Sequence, residues 1–125
     1  MPLISIVVPC YNEQESLPIF LKELDGIVHA MTQTHPDISF EAILVDDGSA
    51  DATLTVMKAE SAASHPYAIH WYSFSRNFGK EAALLAGLQH AKGDYVATMD
   101  ADMQDPPSLL PQMYEILQTE DYDNV

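Results

Sequence analysis

Four apolar runs, Ile4 to Val8, Phe40 to Val45, Ile69 to Phe74 and Tyr95 to Met99, punctuate the chain, with a helical pattern in every interval between them. They are rich in Ile, Val, Tyr and Phe, and each ends in polar or turn residues, which is how strands read. The first two are apolar almost throughout. That suits strands covered on both faces, as in a parallel sheet, better than half-exposed hairpin strands. A first helix is predicted from about Ser16 to His29 or slightly beyond, on Leu17, Phe20, Leu21, Leu24, Ile27, Val28 and Met31, with Pro18 tolerated in the opening turn. A second begins near Asp51 or Ala52, capped by Ser49 or Asp51, and reaches about Ala63. A third runs from about Gly79 to Ala91 on Ala82, Ala83, Leu84, Leu85 and Leu88, and Gly93 sits where a left-handed C-terminal turn is wanted. A fourth starts at Pro106 or Pro107 and carries Leu109, Leu110, Met113, Ile116 and Leu117. The order β-α-β-α-β-α-β-α implies right-handed crossovers and a doubly wound, Rossmann-like α/β fold, mainly parallel, with helices on both faces. Its ligand belongs at the carboxyl ends of the strands, near the switch in strand order.

At 125 residues, 47% of them apolar, the chain fits one domain with a modest core. No segment reaches the ~18 uninterrupted apolar residues that a membrane span needs, so the chain reads as soluble. The single cysteine, Cys10, excludes an internal disulfide, fits a reducing cytoplasm and reads as a packed thiol rather than a nucleophile. Nineteen acidic against five basic residues give a net charge of −14, which opposes binding to nucleic acid and to anionic lipid. An acidic site for an anionic ligand then needs local neutralisation, and with so few Lys and Arg a divalent cation is the natural neutraliser.

Polar motifs follow all four strands. After the first, Pro9-Cys10-Tyr11-Asn12-Glu13 offers a ring on which a base can stack and acceptors for a ribose or base edge, though Asn12 and Glu13 equally suit a turn and a helix start. After the second comes Asp46-Asp47-Gly48-Ser49-Ala50-Asp51. Gly48, Ser49 and Asp51 are ordinary turn and cap chemistry, whereas two acids behind a buried strand need partners. After the third, Ser75-Arg76-Asn77-Phe78-Gly79-Lys80 places the cations Arg76 and Lys80 before a helix N-terminus, an anion site in one reading and a solvated loop in the other. After the fourth, Asp100-Ala101-Asp102 sets two carboxylates one residue apart, on one side of an extended chain. Oxygen-only ligands select hard ions, so Asp100 and Asp102 are the candidate ligands of Mg²⁺ or Mn²⁺ bridging a diphosphate, with Gln104 and Asp105 close by. The five histidines show no paired zinc-ligand spacing, and there is no Gly-x-Gly-x-x-Gly after the first strand and no Gly-Lys-Ser/Thr loop.

In this order, Val7-Val8-Pro9-Cys10-Tyr11-Asn12-Glu13, Val45-Asp46-Asp47-Gly48-Ser49, Ser75-Arg76-Asn77-Phe78-Gly79-Lys80 and Met99-Asp100-Ala101-Asp102-Met103-Gln104-Asp105-Pro106-Pro107 resemble a family 2 glycosyltransferase of the GT-A fold. The third and fourth motifs resemble more narrowly the polyprenyl-phosphate glycosyltransferases, the dolichyl-phosphate and bactoprenol hexosyltransferases among them. The resemblance implies that Pro9, Tyr11, Glu13 and Asp47, together with Asp46, hold the nucleotide, and that Asp100, Ala101 and Asp102 hold the ribose and the metal-bound diphosphate. It sets Gln104 near the sugar or the metal. It implies inverting, metal-dependent transfer of a hexose from a UDP- or GDP-sugar to a lipid phosphate, by an enzyme attached to the cytoplasmic face of the membrane. It also implies a second half carrying the acceptor site, so this chain reads as the donor-binding part, inactive alone. No base is assigned, Asp105 being merely an acid near the site.

An alternative from another class is a non-catalytic α/β module that binds nucleotide, pairs with a partner chain, or self-associates through apolar surface. A receiver-like domain using clustered aspartates and Mg²⁺ is less consistent, because the acids here follow different strands.

Overall fold

The computed structural model describes residues 2–102 and 107–120, with 116–120 described by backbone alone. Among the described residues four strands and four helices alternate: β1 (Leu3–Cys10), α1 (Ser16–Thr34), β2 (Ser39–Asp46), α2 (Thr53–Ala62), β3 (Ala68–Ser73), α3 (Lys80–His90), β4 (Tyr95–Thr98) and α4 (Leu110–Glu120), the last entered by a 3₁₀ turn at Pro107–Leu109. The sheet is ordered β3-β2-β1-β4. All three pairings are parallel, with Leu3 opposite Ser39, Ile4 opposite Tyr95 and Glu41 opposite Ala68 at their starts. This is the doubly wound α/β architecture that the alternation predicts.

The central strands bury both faces, as their largely apolar sequences require. Ile4, Ile6 and Val8 of β1 and Phe40, Ala42 and Leu44 of β2 join one core with Leu17, Phe20, Leu21 and Leu24 of α1, Met57 of α2 and Leu110 and Tyr114 of α4. Val7, Ile43 and Val45 point the other way and meet Ala83 of α3. Each fully buried Leu or Phe contributes about 1.5–3 kcal/mol of transfer free energy. The split of helices follows from strand order. The chain walks from β1 to β2 to β3 in one direction, then returns across the sheet to β4, and a right-handed crossover made in the reverse direction lands its helix on the opposite face.

Two local expectations are corrected. α3 rests on the sheet through Ala83 and Gly87, while Leu85 and Leu88 are 58% and 46% exposed, because small residues let the helix approach the strands closely. Gly93 has no positive φ. It is there for close approach: a Cβ would lie 2.5 Å from Ser5 Oγ and 2.7 Å from Leu3 O. The strands also carry a buried polar pair within their apolar runs. Ser5 Oγ donates to Glu41 Oε2 at 2.5 Å across the β1–β2 register, Lys92 N donates to the same Glu41 oxygen at 2.8 Å, and Gly93 N donates to Ser5 Oγ at 2.8 Å. Buried polar atoms are kept by such partners, and these tie the α3–β4 connection to the sheet.

On the other face His65 bridges two helices, with Nδ1 2.8 Å from Asp25 of α1 and Nε2 3.0 Å from Glu60 of α2. Burial opposes charge on this imidazole, but the hydrogen bonds and charges of Asp25 and Glu60 outweigh it and hold the pKa above the ordinary value of 6.5.

Candidate active site

The carboxyl ends of β1 and β2 are knitted by backbone bonds that carry the loops away from one edge of the sheet: Asp47 N donates to Cys10 O at 2.9 Å, and Phe74 N donates to Asp46 O at 2.9 Å. The loop after β1 is locked to the loop after β2. Asn12 adopts a left-handed φ of 54°, which asparagine tolerates better than most residues. Its amide donates to Ser49 Oγ at 2.9 Å, and its side-chain oxygen accepts from Ala50 N at 2.8 Å. Glu13 N donates to Thr53 Oγ1 at 2.8 Å, and Gln14 Oε1 accepts from Ala52 N at 2.9 Å. The Ser49 hydroxyl thus serves the neighbouring loop instead of capping α2. Asp51 satisfies the helix start, its Oδ1 accepting from Thr53 N at 2.9 Å. Burial raises the Asp51 carboxyl pKa, but hydrogen bonds from Thr53 and Gln14 prevail and hold it below the usual value.

The adjacent acids Asp46 and Asp47 are both 3% exposed and both fully partnered. Asp46 accepts from Ser49 N and from Ser73 Oγ, each at 3.0 Å, closing its own turn onto the end of β3. Asp47 reaches the next loop: Phe78 N donates to Oδ1 at 2.8 Å, Gly79 N to Oδ2 at 3.1 Å and Asn77 Nδ2 to Oδ2 at 3.0 Å. The amides at the start of α3, an anion site by their nature, are therefore given to the protein's own carboxylate. Gly48, at φ 67°, allows this contact, since a Cβ there would sit 2.2 Å from the carbonyl carbon of Arg76. Asn77 is a positioning residue that the sequence reading did not single out; its signal was the need of two buried acids for donors.

Strand order reverses between β1 and β4, and a cleft of about 270 Å³ opens there. Pro9, Tyr11 and Glu13 line it from the β1 side, Asp100, Ala101 and Asp102 from the β4 side, and Asp47, Lys80 and Cys10 complete it. Such crevices at a topological switch point are where open α/β sheets bind ligands. Tyr11 is 48% exposed, Ala101 is buried, and Asp102 is exposed. The Glu13 carboxylate accepts from Ser16 Oγ, which holds it at the first turn of α1. Lys80 Nζ lies 2.7 Å from Asp100 Oδ1. Cys10 Sγ contacts Val8 O at 3.6 Å, and burial, followed by the charges of Glu13, Asp46 and Asp100, pushes its thiol far above the usual range, so it stays protonated. Asp46 and Arg76 do not line the cleft: Asp46 lies beneath the turn, and the Arg76 guanidinium stands 5.0 Å over the Phe78 ring. Gln104 and Asp105 lie outside the described residues. Among the described residues no three His, Cys, Asp or Glu side chains gather as a metal cluster.

The fold recurs in solved structures. The mannosyltransferase PcManGT from Pyrobaculum calidifontis, in complex with GDP-Man and Mn²⁺, is similar with a TM-score of 0.73 at 25% identity, over 93% of this chain and 32% of that one. Residues 1–349 of TarS from S. aureus match with a TM-score of 0.72 at 21% identity, over 97% of this chain and 33% of that one, a likeness of fold. In sequence the chain is 43% identical over 124 residues to an undecaprenyl-phosphate 4-deoxy-4-formamido-L-arabinose transferase of Sodalis glossinidius, covering 98% of this chain and 35% of the relative. It is 44% identical over 112 residues to the bactoprenol glucosyl transferase of Shigella phage SfV, covering 90% of this chain and 34% of the relative. The chain thus spans about a third of the length of the curated relatives it matches. The family model described as glycosyl transferase family 2 matches residues 5–125, and with that match over nearly the whole chain and the α/β fold in place, the chain belongs to glycosyl transferase family 2.

Proposed function

We propose that this chain is the donor-binding part of an inverting glycosyltransferase that moves a hexose from a UDP- or GDP-sugar to a polyprenyl phosphate. The observation that carries the reading is the convergence of Tyr11, Glu13, Asp47, Lys80, Asp100 and Asp102 on one cleft at the β1–β4 switch point. The half-exposed Tyr11 ring offers a face for the base. Glu13 accepts from a ribose or base edge. Asp47 lines the cleft and, by accepting from Asn77, Phe78 and Gly79, holds the loop before α3 beside the place of the nucleotide. Asp100 and Asp102 face the diphosphate.

The donor set fits Mg²⁺ or Mn²⁺, since two hard carboxylates on one wall of the cleft leave the remaining positions to water and diphosphate. When bound, such an ion supplies Lewis-acid stabilisation of the departing diphosphate. The protein's share is positioning: the cross-tied loops after β1, β2 and β3 fix the nucleotide end so that the anomeric carbon presents its open face to the acceptor. The polyprenyl acceptor is taken from the relatives named for undecaprenyl phosphate and bactoprenol. It sets the complete enzyme at the cytoplasmic face of a membrane, although among the described residues no helix is long and apolar enough to cross one.

Calorimetric titration with UDP and GDP, each with Mn²⁺ and again with excess chelator, tests the donor site. Metal-dependent binding of one nucleotide is expected and also identifies the base. Silence from both, repeated on a chain extended to the length of the relatives, would overturn the reading.

A further inference from the structure

We propose that Lys80 is the resident counter-ion of Asp100 and is handed to the donor diphosphate when a divalent cation takes the Asp100 carboxylate, so that metal and donor enter the cleft together. The inference rests on the donor-site reading above and adds a regulatory role for this lysine.

The contact is direct, with Nζ 2.7 Å from Oδ1, and its partners are unequal. The Asp100 side chain is 18% exposed and that of Lys80 is 59% exposed, so the carboxylate is the fixed member of the pair and the ammonium the movable one. Lysine suits this use as a compact charge on a flexible four-carbon stem. Its root is anchored: Lys80 is the first residue of α3, and the amides just before it are held by Asp47. The tip can therefore change partner while the backbone stays in place.

Charge makes the exchange necessary. A divalent cation and an ammonium both seated on one carboxylate repel each other, so a cation entering the cleft ahead of the donor must first break a charge-assisted hydrogen bond. A diphosphate removes that obstacle by offering the displaced ammonium a new anionic partner within the same cleft. Metal binding and donor binding then favour each other, and by linkage the coupling is reciprocal. With only five Lys and Arg in the chain, a lysine in the cleft shared with Glu13, Asp100 and Asp102 is a scarce resource placed where an anion must be received.

The test compares the natural chain with Lys80→Met and Lys80→Arg, following Mn²⁺ by its electron paramagnetic resonance signal without nucleotide, then measuring UDP and GDP affinity at saturating Mn²⁺. The expected result is Mn²⁺ binding about 5-fold or more tighter in Lys80→Met without nucleotide, weaker nucleotide binding in the same variant, and a partial return of both in Lys80→Arg. Equal or weaker Mn²⁺ binding by Lys80→Met overturns the exchange. Nucleotide binding by the natural chain that ignores Mn²⁺ also overturns it while leaving the donor site standing. Failure to bind either nucleotide, by the natural chain and again by one extended to the length of the relatives, overturns the donor reading, and with it the destination proposed for Lys80. Circular dichroism of the variants shows that each is folded.

Discussion

The carboxylate of Asp47 lies 2.8 Å from the amide nitrogen of Phe78, so an acid at the end of β2 serves as the anion at the start of α3. One loop of the cleft is thereby fixed by another, and the floor of the site depends on a charge that no ligand supplies. Replacing Asp47 with Asn keeps the shape but removes the charge from an acceptor of several donors. Asp47→Asn is expected to lose about 2 kcal/mol of stability in urea unfolding, the range for hydrogen bonds to charged groups. Hydrogen exchange at the Phe78 and Gly79 amides should quicken, and unchanged protection there would contradict the anchoring role.

Gly48 supports the same junction by leaving room for the backbone of Arg76 and Asn77. Gly48→Ala puts a methyl group into that backbone at a left-handed φ, and the two faults add. A loss of about 3 kcal/mol or more is expected, read as a lowered unfolding midpoint with an unchanged slope. A midpoint within error of the natural chain would show that the loops separate at little cost.

Asp102 is exposed at the mouth of the cleft, so its removal should leave folding almost untouched. Asp102→Asn deletes one of two neighbouring carboxylates and with it a hard ligand. Stability is expected within about 0.5 kcal/mol of the natural chain. Metal-dependent nucleotide affinity is expected to fall by at least 10-fold in calorimetry, on the order of what disturbing even an outer-shell partner of a metal ligand does. Metal-dependent binding that survives in this variant would remove Asp102 from the ligand set.

The His65 bridge predicts a pH dependence of stability. Its pKa is raised in the folded chain, so the protonated form stabilises fully below the unfolded value of about 6.5, and that contribution fades as pH rises through the higher folded value. His65→Gln should cost about 1–3 kcal/mol at pH 5.5, less at pH 9, and flatten this part of the profile. Denaturant unfolding at the two pH values measures it, and an equal cost at both would mean that the ring acts through packing alone.

The order and identity of the elements were legible in the chain because they are local properties. The largely apolar runs of β1 and β2 announced strands buried on both faces, and Leu17, Phe20, Leu21 and Leu24 marked the inner stripe of α1, all four of them buried as expected. In α3 the same logic was weaker. Leu85 and Leu88 look like core residues by type, yet Ala83 and Gly87 are the ones buried, since how close a helix can lie depends on what it lies against. The need of Asp46 and Asp47 for partners was also readable, but Ser73 and Phe78 as those partners were not, because they stand on another strand and another loop.

What the sequence determined by itself, then, is the alternation of strands and helices, the polar motifs at the strands' carboxyl ends and the acidity that asks for a cation, all set by hydrophobic periodicity, turn chemistry and composition over short stretches. The tertiary structure alone decided that β4 lies beside β1 rather than β3, which brings Tyr11 and Glu13 to face Asp100 and Asp102, and that Lys80 closes on Asp100 while Asp47 holds the start of α3. Those pairings join residues far apart in the chain, and they are selected by crossover handedness and by the packing of two opposed helix layers, neither of which any short stretch of sequence contains.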